Sequence, residues 1–187
     1  MGGRRFDKRI VWALCVLLLG NLIVPSASHA KTAQEIDASV NAALDRFMQQ
    51  VKGSREFLQD AKGVLVFAGV IQAGLGIGGE YGEGALRIHG GTAAYYSIAA
   101  ASIGLQFGAQ KKDIILVFLQ DKALRDFRAK KGWQVGVDGS VVLVNLGAQA
   151  SIDSTKYHEP IVGFVVGQKG LMYNLTLEGS KISKLQK

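Results

Sequence analysis

The chain has 187 residues, 22 of them Lys or Arg and 15 Asp or Glu, for a formal net charge of +7. Arg4, Arg5, Lys8, Arg9 and Asp7 all precede residue 31, so residues 31–187 carry only +4. The single cysteine, Cys15, also lies in that leading stretch, which excludes disulfides, thiolate metal sites and a cysteine nucleophile from the rest, and the two remaining histidines, His89 and His158, are too few for a multi-histidine metal site.

The first thirty residues read as a secretion signal. Arg4, Arg5, Lys8 and Arg9 precede the apolar run Ile10–Gly20, which continues through Leu22-Ile23-Val24, breaks at Pro25 and leads into Ser28-His29-Ala30. A basic start, a run of about a dozen apolar residues and a small-x-small exit predict cleavage after Ala30. The rival is an uncleaved anchor, for which the run is short of the roughly 20 apolar residues a span needs. Cys15 comes directly after Leu14 inside the apolar run and is not placed for lipidation. The expected compartment is outside the cytoplasm, most simply a bacterial periplasm. Residues 31–187 then suit one compact domain.

Residues 32–52 predict a helix. Thr32-Ala33-Gln34-Glu35 has the form of a capping box, and Ile36, Val40, Ala43, Leu44, Phe47, Met48 and Val51 recur on one stripe. The opposite face, with Asp37, Asn41, Asp45 and Gln49, is not basic. Such a helix either packs on a core or inserts into a membrane. Gly53 ends it, and Ser54 is placed to cap a short second helix through Ala61.

From Gly63 the pattern changes to strands. Strand-like runs are Gly63–Val70, Ala73–Gly84, Ala85–His89, Ala93–Ala101, Ile103–Ala109, Ile114–Leu119, Trp133–Val137, Val141–Leu146, Ile161–Val166 and Leu171–Leu177. Asp138-Gly139 signals a hairpin between two of them. One helix interrupts, Asp121–Lys131, with Asp121 as cap and Leu124 and Phe127 on its apolar side. The predicted class is α+β: a curled, mainly antiparallel sheet, barrel-like or half-barrel, with an N-terminal amphipathic helix and one inserted helix.

Gly74-Leu75-Gly76-Ile77-Gly78-Gly79 matches the dinucleotide fingerprint only in form. The fingerprint requires a helix directly after it, and Glu80-Tyr81-Gly82-Glu83-Gly84 is a poor helix start. Gly74, Gly76, Gly78, Gly82 and Gly84 share one parity, so in a strand one face lacks side chains. That face is either a tight corner of the sheet, a seat for the first helix, or a groove for an acyl chain or other flat ligand. Glu80 and Glu83 are three apart and point to opposite faces, a poor acid–base pair. They read as surface charge. His89 and His158 read as turn or loop residues, and Ser97, Ser102, Ser140, Ser151 and Ser154 fit no nucleophile elbow. No enzyme is predicted; an unrecognised hydrolase would rest only on these scattered polar residues. No metal or cofactor is expected.

Lys111, Lys112, Lys122, Arg125, Arg128, Lys130 and Lys131 form a basic cluster, opposed by Asp113, Asp121 and Asp126. It is either a solvated helix face or a dock for an anionic surface, where each cation contributes roughly 1 kcal/mol. Trp133 is either a wedge at that interface or a core residue. Nucleic acid is not an expected partner, because no aromatic platform accompanies the charge.

Several motifs occur in a family order. Ala61-Lys62-Gly63-Val64-Leu65-Val66-Phe67 precedes the glycine segment Ala73–Gly84. Tyr95-Tyr96-Ser97, Gly104-Leu105-Gln106-Phe107-Gly108-Ala109-Gln110 and Gly132-Trp133-Gln134-Val135-Gly136 come next. Pro160-Ile161-Val162 and Gly170-Leu171 through Leu177-Glu178-Gly179-Ser180 complete the series. Together they resemble the SYLF domain family over about residues 35–185. The resemblance implies a lipid-binding, membrane-associated module; eukaryotic members bind phosphoinositide membranes and some bind actin filaments. The helix matching their membrane-contacting helix, Ile36–Val51, has a less basic polar face here, and neither phosphoinositides nor actin are expected in a periplasm. The expected function is therefore non-enzymatic binding to anionic phospholipid through Lys111–Lys131. The alternative is an envelope scaffold that meets a protein partner through the glycine-rich face.

Overall fold

A computed structural model describes residues 30–144, 152, 154–167, 170–171 and 177–187, with backbone only at 74–77, 102–109, 154 and 170–171. The secretion signal expected over residues 1–30 lies outside the described residues except for Ala30, as do the parts of the expected strands at 145–146 and 172–176. Lys31–Lys187 form one compact unit.

Helix α1 spans Ala33–Gln50. The Thr32 hydroxyl accepts from the Glu35 N–H at 3.2 Å, and the Glu35 carboxylate accepts from the Thr32 N–H at 2.7 Å, closing the capping box. Ile36, Val40, Ala43 and Phe47 are buried along one stripe, so the periodic residues pack on a core. Helix α2 spans Ser54–Gln59, and its cap is Gly53 rather than Ser54. Gly53 has φ +81°, a turn that brings the chain sharply out of α1.

Strands β1 (Gly63–Ile88) and β2 (Gly91–Phe118) absorb the first six expected strands into two. They pair antiparallel from Ile88↔Gly91 to Gly63↔Phe118, with irregularities at Phe67/Val70, Gly74/Gly76 and Leu86/Arg87. These irregularities fall within the expected strands Gly63–Val70, Ala73–Gly84 and Ala85–His89 rather than at the breaks between them, and they bend the ribbon without ending it. His89 and Gly90, at φ 50° and 78°, form its two-residue turn.

Helix α3 spans Asp121–Ala129. Its cap position is Gln120, which makes no side-chain cap bond; Asp121 is the first helical residue, where its charge still suits the positive end of the helix. Strands β3 (Gly132–Gln134), β4 (Val142–Leu143), β5 (Ile161–Gly167), β6 (Gly170–Leu171) and β7 (Lys181–Leu185) complete the described sheet, with a 3₁₀ turn at Ser154–His158. The order is β3-β7-β2-β5-β4, with β1 also on β2 and β6 on β5. Every described strand pair is antiparallel except β4 with β5. The molecule is thus α+β with a curled, half-barrel, mainly antiparallel sheet. Asp138-Gly139 is not a strand-to-strand hairpin. It belongs to a local turn closed by Gly136 N–H to Gly139 C=O (2.9 Å), and β3 pairs with β7 while β4 pairs with β5.

Strand alternation divides the core in two. Val64, Val66, Ile115, Val117, Val162 and Phe164 face α1 and α2. Leu65, Phe67, Ile114, Leu116, Phe118 and Val165 face α3. Phe47 meets Phe164 at 4.7 Å between ring centroids on the first side. On the other, Phe127 meets Tyr96 and Phe118 at 5.0 Å and Trp133 at 5.5 Å. Trp133 is buried in this cluster, not placed at an interface.

Candidate anion-binding surface

The fold divides the seven cations named from the sequence. Lys112 is buried: its Nζ lies 2.6 Å from Glu80 Oε2 and donates to Gln72 Oε1 at 3.2 Å. It is removed from any external anion. The physical reason is the curl, which encloses the Lys112 side of β2 opposite Glu80. Lys111, on the other side of β2, is exposed, and its aliphatic end lies 2.6 Å from where a Cβ on Gly69 would sit. A hollow of about 240 Å³ is lined by Arg46, Lys111, Lys112, Asp113, Val166 and Gly167. Arg46 is committed there to Asp113 and Lys112 to Glu80, so among the described residues Lys111 alone of the three keeps an unpaired charge.

The remaining five cations surround α3. Lys122 pairs with Asp126 at 2.6 Å, one helical turn on, and Lys130 pairs with Asp138. Asp138 is held below the usual carboxylate range, first by the Lys130 hydrogen bond and then by the Gln134 N–H. Arg125, Arg128 and Lys131 are exposed and have no carboxylate partner among the described residues. Arg125 and Arg128, three apart, share a face of α3. Arg128 also acts on Tyr96 below it: burial pushes the Tyr96 hydroxyl up, and the guanidinium pulls it back.

Two further cations join this end of the molecule. The Lys184 N–H donates to the Lys131 carbonyl at 3.2 Å, and Lys181 Cε lies 3.5 Å from a Cβ placed on Gly132. Both lysines are exposed on β7. Their strand was not among those expected, because in Lys181-Ile182-Ser183-Lys184-Leu185 only Ile182 is buried. The apolar Ile182 flanked by the polar Lys181 and Ser183 is the signal the sequence offered.

The glycine segment is not an open groove at its second half. A Cβ on Gly84 would sit 2.0 Å from the Val66 carbonyl oxygen, and one on Gly82 2.7 Å from Val70 Cγ2. β1 therefore crosses back over its own first half, and these two glycines are the crossing. Gly78 is half-buried beside them, while for Gly74 and Gly76 only the backbone register, opposite Gly108 and Gly104, is described. Glu80 and Glu83 point to opposite faces, yet neither is surface charge. Glu80 is buried with Lys112, and its Oε1 has no hydrogen-bond partner among the described residues. Glu83 is buried with Lys187 at 3.3 Å. Two lysines distant in sequence neutralise them, which no local pattern reveals. Outside the curl, Ile71 and Tyr81 stand 54% and 53% exposed.

Comparison with known families agrees with the ordered motifs. The family model Ysc84, described as Las17-binding protein actin regulator, matches residues 99–187. That span runs from the middle of β2 through α3 to the end of β7 and contains every exposed cation around α3. No curated protein matches the chain at a significant level. Residues 99–187 thus match the Ysc84 (SYLF) domain family, a family of binding domains rather than of known enzymes.

Proposed function

We propose that this domain is a non-enzymatic binding module that docks on an anionic phospholipid surface in the bacterial envelope, after export to the periplasm. The docking residues are Arg125, Arg128 and Lys131, extended by Lys181 and Lys184. The observation that carries this reading is that Arg125, Arg128 and Lys131 stand exposed on and just beyond α3 with no carboxylate to neutralise them among the described residues, with Lys184 bonded to Lys131 through the backbone and Lys181 beside Gly132. At roughly 1 kcal/mol each near an anionic bilayer, they suffice for a peripheral, salt-sensitive contact. The same reading disfavours insertion of α1. Its apolar stripe is already buried, and undocking it would forfeit about 1.5–3 kcal/mol for each large side chain.

Co-sedimentation of residues 31–187 with phosphatidylglycerol-containing and with pure phosphatidylcholine vesicles tests this. Binding to the anionic vesicles alone, fading between low and physiological salt, is expected. The triple variant Arg125→Glu, Arg128→Glu, Lys131→Glu should bind at least tenfold more weakly with unchanged circular dichroism. Undiminished binding by that folded variant removes the site. Absence of binding to either vesicle transfers the reading to a protein partner, for which the exposed Ile71 and Tyr81 beside the glycine segment are the supporting observation.

A further inference from the structure

Glu83 is a buried carboxylate on which the two ends of the compact unit meet. Its Oε2 accepts from the backbone N–H of Lys31 at 3.2 Å. Lys187 Nζ lies 3.3 Å from the same oxygen and 3.4 Å from Oε1, and it donates to the Lys31 carbonyl at 2.6 Å. The Tyr81 hydroxyl donates to Oε1 at 3.2 Å. β1 sets this position: Glu83 pairs with Ser97 on β2, Ser97 pairs with Ser183 on β7, and β7 runs on to Lys187. Glu83 is only 7% exposed, so its charge is largely removed from water and depends on these donors.

We propose that Glu83 is an acceptor site for the α-ammonium group of Lys31, created when a peptidase hydrolyses the Ala30–Lys31 bond. This rests on the export reading, which places the cut at that bond. Water supplies a hydroxyl to the Ala30 carbonyl carbon, the C–N bond breaks, and the other proton goes to the Lys31 nitrogen. At neutral pH that nitrogen takes up one more proton. The atom that now gives Glu83 one neutral hydrogen bond becomes a cation at the same place. A charge-assisted bond of this kind is roughly twice as strong as a neutral one. Processing would thus tighten the fold: the mature chain closes its ends on Glu83 with a charged pair, where the precursor has only the neutral Lys31 N–H bond.

The groups facing the Lys31 nitrogen are Glu83 and Tyr81 from β1, Lys187 beyond β7, and Glu35 from α1, which Lys31 and Lys187 both influence. The unfolded α-amino group titrates at about 7.7–8.0. Pairing with Glu83 raises that value in the folded state. Its stabilisation is therefore complete below the unfolded value and is lost as pH rises through the folded one.

The test compares thermal melts of residues 31–187, released so that Lys31 is the first residue, with residues 30–187, which retain Ala30. At pH 7 the 31–187 chain should melt higher by about 2–8 °C, and the gap should close by about pH 10. Glu83→Gln should abolish the gap. Equal melting at pH 7, or a gap that persists in the folded Glu83→Gln pair, overturns the acceptor site. The intact mass of protein exported from the full chain judges the other half independently. A first residue of Lys31 supports the processing step, and any other first residue overturns it.

Discussion

The two faces of the sheet hold their helices by different chemistry. On the α1 face the attachment is apolar in the middle and ionic at the flanks. Arg46 donates to Asp113 Oδ2 through Nε (3.1 Å) and Nη2 (2.7 Å), while Asp113 Oδ1 takes the Gly69 N–H at the bulge (2.8 Å). Asp37 accepts from Thr92 (2.8 Å) and Tyr95 (3.0 Å), and lies 3.3 Å from Arg87. On the α3 face the anchor is Leu124 and an aromatic group centred on Phe127, and no residue of α3 forms an ion pair with the sheet among the described residues. The long helix therefore turns much of its polar flank toward the sheet. The short helix leaves its cations to solvent. α1, the helix whose apolar stripe made membrane insertion an option in the sequence, is the less available one for an external ligand.

The largest break in this comparison is Phe127→Ala. Removing the ring that touches Tyr96, Phe118 and Trp133 should cost about 3–5 kcal/mol in urea unfolding. A loss below about 1 kcal/mol would mean that α3 is not held by its aromatic anchor. Next comes Asp113→Ala, which strips a partner from Arg46 and from the Gly69 N–H. Because Arg46 is 44% exposed, solvent screening reduces the expected loss to about 1–3 kcal/mol. A double-mutant cycle with Arg46→Ala should show coupling, and strict additivity would remove the ionic pin.

The smallest effect is in acid. Glu35, at the start of α1, is held below the usual carboxylate range chiefly by the Thr32 N–H; Asp138, beside α3, chiefly by Lys130. Depressed folded values mean that both contributions are present above the unfolded carboxyl values and are lost as pH falls through the folded ones. Added salt should weaken the Asp138 contribution more than that of Glu35, since Asp138 is held chiefly by a cation and Glu35 chiefly by a backbone N–H, with Lys31 and Lys187 adding less. Melts of Glu35→Gln and Asp138→Asn across pH and salt check this; equal salt sensitivity would contradict it.

Much of this was legible in the residues. The stripe from Ile36 to Phe47 and the capping box fixed α1, and alternation with glycine punctuation indicated a curled antiparallel sheet. Arg125, Arg128 and Lys131 stand exposed, as charged residues around Leu124 and Phe127 should. Lys112 was not legible as a buried residue, because parity names a face of β2 but not whether the curl closes over it. Glu80 and Glu83 look like surface charge for the same reason: their partners, Lys112 and Lys187, arrive through tertiary structure. Lys184 was missed because a five-residue strand with one buried side chain carries almost no periodic signal.

The β1–β2 ribbon also sets an order of assembly. Its rungs begin at Ile88↔Gly91, across a turn of two residues, and end at Gly63↔Phe118. Each rung enlarges the closed loop by about two residues, so the entropy lost at any one step stays small although the final pairs are distant in sequence. β5 and β7 both pair with β2, the second strand of that ribbon. The ribbon is thus a template that zips from its tip, and the remaining strands add to it in turn.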